Sequence, residues 1–348
     1  MGNKILICGT STIHTYNYYE LIRDSFSEAV IVSDKINPNY QAIQPEVFNF
    51  SLRNPMIIWQ SIRKIKRFIL LFKPDIIHIQ QLGTHAWLLL HAAKRLNIPV
   101  IATAWGSDVL INPEKSYWHK KMLFYILNHA TAFTADSLFV AARMKQIAKK
   151  DISVLVANFG INTLPMDLEK ENIVYSNRAH KPLYRIDKVV KAFARFSRNN
   201  AASDWKLVIA GEGEETKALH NLAQKEGVAD RIEFAGWIGK EKNSEYYHRS
   251  KIFVSIPESD ATSISLLEAM DAGCIPVVSN LPANTEWVLN GINGLVVSNL
   301  SDDILSESLK LDAERAVKIN QELIKTKGSR EANHALFAGL YHQILTKA

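Results

Sequence analysis

Cysteine is nearly absent: Cys8 and Cys274 are the only two in 348 residues. That is too few for a disulfide scaffold or a cysteine-built zinc site, and a reducing compartment suits them. No uninterrupted apolar run approaches the roughly 18 residues of a membrane span. The N-terminus passes from Lys4 straight into a short apolar run, with no signal-peptide core. The chain is therefore expected in the cytoplasm, neither exported nor membrane-spanning. Low-complexity tracts and fixed-period repeats are missing too, which removes the disordered and solenoid classes. No Asp-any-Asp pair follows a strand-like run, and Asp302-Asp303 falls in a polar stretch ahead of a helical pattern. Neither a metal nor a cofactor is expected. Nucleic acid is not an expected partner either, because no recognition motif and no basic stretch interleaved with stacking aromatics is present.

What the sequence does have is alternation. Short β-branched runs at Lys4–Cys8, Val30–Ser33, Ile76–Ile79, Val100–Thr103, Ala132–Ala135 and Val154–Val156 are separated by helical patterns such as Trp87–Leu96. A second series follows at Ile173–Tyr175, Leu207–Ala210, Ile232–Phe234, Ile252–Ser255, Ile275–Ser279 and Gly294–Val297, with helical Val189–Ser197 among them. Mostly apolar runs of this length suit strands buried on both faces of a parallel sheet, and the spacing predicts βαβ units. Two sets of six predict an α/β chain of two doubly wound domains facing a cleft. Their boundary is expected near Thr163–Asn172, around Pro165, and Glu331–Leu345 reads as a final amphipathic helix after Gly328.

Charge is uneven. Residues 1–163 hold 18 Lys and Arg against 10 Asp and Glu, while the remainder holds 23 against 25. Arg63, Lys64, Lys66 and Arg67 punctuate the apolar segment Ile57–Phe72, which reads as an amphipathic basic helix. Such a helix lies on an anionic membrane surface or meets an anionic substrate; the plainer alternative is a solvated basic face.

The richest stretch is Ser255-Ile-Pro-Glu-Ser-Asp260-Ala-Thr-Ser263-Ile-Ser265-Leu-Leu-Glu268-Ala-Met. A strand ends at Ser255 and a helix starts near Ser263, capped by Ser263 or Thr262. That leaves the amides of Ile264 and Ser265 free for an anion at a positive helix end. Glu268, about one turn in, can accept from diol hydroxyls, and Asp260 can reach a second polyol. An anion between two polyol-binding carboxylates describes a sugar nucleotide. The plainer readings are a helix-start charge for Asp260 and an exposed helical carboxylate for Glu268.

Asp260 and Glu268, with seven residues between them, resemble the acid and glutamate signature of retaining glycosyltransferases of family 4, which have the GT-B fold. Further blocks stand in that family's order: Lys73-Pro-Asp-Ile-Ile-His78, Gly106-Ser-Asp108, Ala135-Asp-Ser137, Asn158-Phe-Gly-Ile-Asn162, Leu207-Val-Ile-Ala-Gly-Glu-Gly213, Phe234-Ala-Gly-Trp-Ile238 and Glu286-Trp-Val-Leu-Asn-Gly-Ile-Asn-Gly294. The resemblance implies two Rossmann-like domains: residues 1–165 for the acceptor, and 166–327 for the nucleotide sugar. Residues 328–348 would form a helix crossing back to the N-terminal domain. It implies that Glu268 binds the ribose, that Ser263, Ile264 and Ser265 hold the distal phosphate, and that Asp260 contacts donor-sugar hydroxyls. Asp260 stands where the family usually has Glu.

The family's diphosphate-binding arginine matches Arg178. Its lysine is displaced here, with Lys181 early and Arg185 about one residue late; Arg185 fits the following segment better. Gly211 belongs to the donor side, and the backbone of Trp237 and Ile238 reads the base, unless Trp237 is simply buried in a strand-end turn. Gly9 and His14 survive from the family's glycine loop. Trp105, in the block ending at Asp108, replaces a histidine that touches the donor sugar. It either walls a sugar face or is a core aromatic, and these four are assigned to the acceptor or cleft side. The implied activity is transfer of a hexose or N-acetylhexosamine, without metal, from a nucleoside diphosphate sugar, UDP-linked. The acceptor is a glycan or a lipid-linked one in surface polysaccharide or glycolipid synthesis, at the inner face of the cytoplasmic membrane. The alternative is a catalytically impaired binding subunit that scaffolds an active partner.

Overall fold

The computed structural model describes residues 2–40, 42–162, 166–198 and 204–347. Each expected run lies within a strand of the structure or overlaps one, and the chain divides into two compact units. One comprises Met1–Gly160 with Arg330–Ala348, the other Ile161–Ser329. The expected boundary residue Pro165 lies outside the described residues.

In the first unit, β1 (Lys4–Cys8), β2 (Glu28–Ser33), β3 (Glu46–Val47), β4 (Ile76–Gln80), β5 (Val100–Ala104), β6 (Ala132–Ala135) and β7 (Val154–Val156) form one parallel sheet. Its order is β3-β2-β1-β4-β5-β6-β7. Ile5, Leu6, Ile7 and Cys8 are fully buried, as a strand covered on both faces demands. The strand β3 was not expected: its two residues are exposed, so no apolar run marks it. The basic helix runs over Pro55–Phe72 and begins two residues before Ile57. Pro55 takes the first helical position, and Asn54 Oδ1 accepts from the Met56 amide at 2.8 Å.

The final helix, Arg330–Leu345, belongs to this unit. Phe337 is buried edge-on against Tyr18, 5.7 Å between ring centres. The Tyr341 hydroxyl lies 2.7 Å from His78 Nδ1. On the other side of the ring, His78 Nε2 is 2.6 Å from Thr103 Oγ1, which is 2.6 Å from Thr134 Oγ1. This polar file crosses β4, β5 and β6 through an apolar interior, and burial pushes the His78 imidazole down to about 3.

In the second unit, β8 (Glu171–Ser176), β9 (Lys206–Ala210), β10 (Ile232–Gly236), β11 (Ser250–Ser255), β12 (Ile275–Ser279) and β13 (Leu295–Val297) form a parallel sheet ordered β10-β9-β8-β11-β12-β13. Alternate side chains serve two cores. Val174, Leu207, Ile209, Ile252 and Val254 join Phe193 on one face. Tyr175, Val208 and Phe253 join Leu266, Leu267 and Met270 on the other. Burying each such side chain is worth roughly 1.5–3 kcal/mol, so both faces hold the strand ends in fixed places. The order reverses direction at β8 and β11. Among the described residues no helix is long and apolar enough to cross a membrane.

Candidate active site

Where strand order reverses in an open α/β sheet, the crevice outside the strand ends is the ligand site. Arg178 follows β8 and Asp260 follows β11, and they meet there. Arg178 Nη2 donates to Asp260 Oδ2 and Nη1 to Ser263 Oγ, both at 2.6 Å. The guanidinium sits over the Tyr184 ring, 4.4 Å from its centre. The two side chains are only 11% and 21% exposed. Burial pushes the Asp260 carboxyl above the ordinary aspartate value, and the charge and hydrogen bond of Arg178 pull it part of the way back.

Ser263 stands at the N-cap of the helix Ile264–Asp271, yet its side chain makes no cap bond. The hydroxyl is drawn to the arginine instead, a charge-assisted bond stronger than a neutral cap. Thr262 Oγ1 accepts from Trp287 Nε1 at 3.4 Å. The first amides of the helix, those of Ile264 and Ser265, have no intrahelical acceptors by geometry. Glu268, half-buried, shares a shallow pocket with Asn162, Lys240, Asn243 and Tyr247. Burial raises its carboxyl above the usual glutamate value, while a hydrogen bond from Tyr247 and the charge of Lys240 lower it.

Arg185 is less central. It takes a left-handed conformation, φ 53°, ahead of the helix Ile186–Phe196. Its Nε and Nη2 donate to Glu258 Oε1 at 3.1 and 3.0 Å, not to Asp260. Glu258 in turn donates its amide to the Leu183 carbonyl at 2.9 Å, so the arginine is tied to the loop leading to Asp260. Lys181 is exposed.

The Gly-Glu-Gly turn is a close-approach device. A Cβ on Gly211, φ +112°, would lie 2.6 Å from the Arg178 carbonyl oxygen, and one on Gly213 would lie 2.4 Å from that of His180. The two loops are laced by His180 N–H to the Glu212 carbonyl and Glu215 N–H to the His180 carbonyl, each 3.1 Å. These glycines hold the loop of Arg178 against the end of β9. Trp237 is not buried in its turn: it is 82% exposed after β10, whereas Ile238 is half-buried against the Tyr175 core.

In the first unit, a Cβ on Gly9 would clash with Thr15 at 2.5 Å, which lets the loop after β1 fold onto the helix Ile13–Ile22. His14 opens that helix, its ring 5.3 Å from Trp105 and 5.5 Å from Phe159. Trp105 is half-buried, parallel to Tyr18, with Nε1 donating to Gln80 Oε1 at 3.3 Å. Asp108 is buried. Its Oδ1 accepts from the Gly106 and Trp105 amides at 2.9 and 3.1 Å and its Oδ2 from Leu82 at 2.8 Å. Those bonds make Asp108 the staple of the loop after β5, a role its motif alone did not separate from ligand contact.

Sequence reasoning missed the polar shell behind Glu268. Tyr175 and Asn177 both donate to Asn243 Oδ1, at 2.6 and 2.9 Å, and Asn177 also donates to the Tyr247 hydroxyl at 2.7 Å. These residues come from β8, the position just past its end and the helix Lys240–Arg249, and share no motif, so no local spacing could have grouped them.

Two family descriptions match the chain: "Glycosyl transferases group 1" over residues 162–325 and "Glycosyl transferase 4-like" over residues 4–137. The N-acetyl-alpha-D-glucosaminyl L-malate synthase of Bacillus anthracis is 23% identical over 243 residues, 63% of this chain and 60% of that protein. The lipopolysaccharide core biosynthesis glycosyltransferase LpsE of Rhizobium meliloti is 34% identical over 92 residues, 26% of each. The chain thus spans less than two thirds of the length of either. Among solved structures, HepE of Anabaena in complex with UDP superposes with a TM-score of 0.83 at 14% identity, covering 98% of this chain and 100% of that one; this likeness shows the fold. With the site at the reversal of the second sheet and both family descriptions in chain order, the protein belongs to the group 1, family 4-like glycosyltransferases of GT-B fold.

Proposed function

We propose that the chain is a retaining, metal-independent glycosyltransferase that moves a hexose or N-acetylhexosamine from a UDP-linked donor to a glycan or lipid-linked acceptor. The observation that carries this is the convergence of Arg178, Asp260 and the start of the helix Ile264–Asp271 beside Glu268, at the reversal of the second sheet. Glu268 takes the ribose hydroxyls, and the amides of Ile264 and Ser265 take the distal phosphate. Asp260 orients the donor sugar, and the peptide groups of Trp237 and Ile238 read the base. Arg178, with Arg185 beside it, stabilises the charge that develops on the departing diphosphate, the largest electrostatic demand of the reaction. UDP in the HepE complex, and UDP-glucose in a second structure of it, support the donor class; the name of LpsE supports surface-glycan synthesis.

The first unit serves the acceptor, with Gly9, His14, Trp105 and Asp108 shaping its loops. Arg63, Lys64, Lys66 and Arg67 are all exposed on the basic helix, and Trp59, 56% exposed, carries Arg63 4.5 Å above its ring. That belt of cations and interfacial aromatic suits the anionic inner face of the cytoplasmic membrane. One observation favours the second reading, a catalytically impaired binding subunit: Asp260 already neutralises Arg178, which donates to that carboxylate and to Ser263 Oγ. The test is incubation with a panel of sugar nucleotides in EDTA, measuring release of nucleoside diphosphate. The enzyme reading expects release from a UDP-sugar that EDTA does not diminish. No release from any donor returns the protein to the binding reading, and loss restored by magnesium or manganese removes the arginines from the metal's role.

A further inference from the structure

The pocket around Glu268 contains a file of hydrogen bonds whose direction can be fixed by counting protons. Tyr175 O–H donates to Asn243 Oδ1, which also accepts from Asn177 Nδ2. The second N–H of Asn177 donates to the Tyr247 hydroxyl oxygen at 2.7 Å, and the Ser265 hydroxyl donates to the same oxygen. A phenol has two lone pairs and one proton. With Asn177 donating to its oxygen, the proton of Tyr247 turns to another acceptor, and the pocket that Tyr247 lines presents the Glu268 carboxylate, whose pKa a hydrogen bond from Tyr247 lowers. Tyr247 itself is 2% exposed. Its helix end is clamped by Lys170, whose Nζ donates to the carbonyls of Tyr247, Ser250 and Ala272 at 3.1, 2.7 and 2.7 Å.

We infer that Tyr247 is the positioning residue for Glu268. Its single proton aims one carboxylate oxygen and leaves the other for a diol, and Asn177 ties that aim to the strand end that carries Arg178. The inference rests on the reading of Glu268 as the ribose carboxylate. It adds a reason why one peptide, Asn177-Arg178, governs both ends of a nucleoside diphosphate: its first residue acts through Tyr247 on the sugar, its second on the phosphate. The groups facing the carboxylate are Tyr247, Lys240 and His248 from the helix Lys240–Arg249, Tyr175 from β8 and Asp271 on its own helix. Among them Tyr247 is the hydrogen-bonding one, and its bond favours the ionised carboxylate against the burial that opposes it.

The experiment titrates the full chain with UDP and with 2′,3′-dideoxy-UDP across mildly acidic to neutral pH, for wild type, Tyr247→Phe and Asn177→Ala. Wild type is expected to prefer UDP. Tyr247→Phe is expected to keep its affinity for the dideoxy nucleotide within about twofold, to lose about tenfold of the preference, the effect of one charge-assisted bond, and to lose UDP binding at a higher pH as acid is added. Asn177→Ala, one link further back, is expected to shift both quantities the same way by less. A Tyr247→Phe protein with full preference and an unmoved pH midpoint overturns the inference, as does an equal loss for both nucleotides, which marks the tyrosine as structural. A wild type indifferent to the ribose hydroxyls overturns the reading of Glu268 itself, a result distinguishable from either.

Discussion

Asp260 shows what one residue's surroundings decide. Its spacing from Glu268 was legible in the sequence. Its engagement with Arg178 was not, because the two lie 82 positions apart and only the sheet order brings β8 beside β11. Asp260 Oδ2 neutralises the arginine, and Oδ1 accepts from the Ala261 amide at 3.1 Å. Asp260→Asn keeps the shape and removes the charge. Turnover of the donor is expected to fall at least tenfold, about 1.4 kcal/mol, while UDP affinity stays within about threefold, since Arg178 is released toward phosphate. Steady-state kinetics beside calorimetry checks this; a fall confined to UDP affinity would contradict the placing of Asp260 on the sugar.

At the scale of elements, the runs on β1 and β12 were read to the residue because both faces of those strands are apolar. The helix Pro55–Phe72 was read short because its start is set by Asn54 and Pro55, not by hydrophobic period. The capping of Ile264–Asp271 was misread for a different reason: a cap preference is local, and Arg178 competes for Ser263 from across the sheet. The Gly-Glu-Gly turn could be read as a turn, but its two close approaches to Arg178 and His180 needed the fold. The file from Tyr341 through His78 to Thr134 likewise joins residues that no local pattern links.

That file carries a pH signature. The unfolded histidine titrates near 6.5, the buried one at about 3. Between these values the unfolded chain binds more protons, so the stability that the neutral imidazole allows is complete above the upper value. It is lost as pH falls toward the lower one, by about 1.4 kcal/mol per pH unit. Denaturant titrations from about pH 7 to 4 are expected to show this slope in wild type and a shallower one in His78→Gln. Equal slopes would detach His78 from the acid sensitivity.

For the whole molecule, the asymmetry of charge is the property most plainly written in composition: the basic surplus lies in residues 1–163, the half that holds the exposed basic helix. Contacts of this kind contribute on the order of 1 kcal/mol per Lys or Arg at an anionic surface and fade with salt. Neutralising Arg63, Lys64, Lys66 and Arg67 together is expected to abolish sedimentation with anionic vesicles at low salt while UDP affinity is unchanged. A wild type that ignores such vesicles makes the basic face solvated surface and a soluble acceptor the better assignment. The central claim, that the second unit holds a nucleoside diphosphate between Glu268 and Arg178, is tested most directly by calorimetric titration of UDP into wild type and Glu268→Ala. Two diol hydrogen bonds to a charged acceptor are worth roughly 1.5–3 kcal/mol each, so saturable binding by wild type and at least a hundredfold loss in the variant are expected; equal affinity in the two proteins would contradict the account.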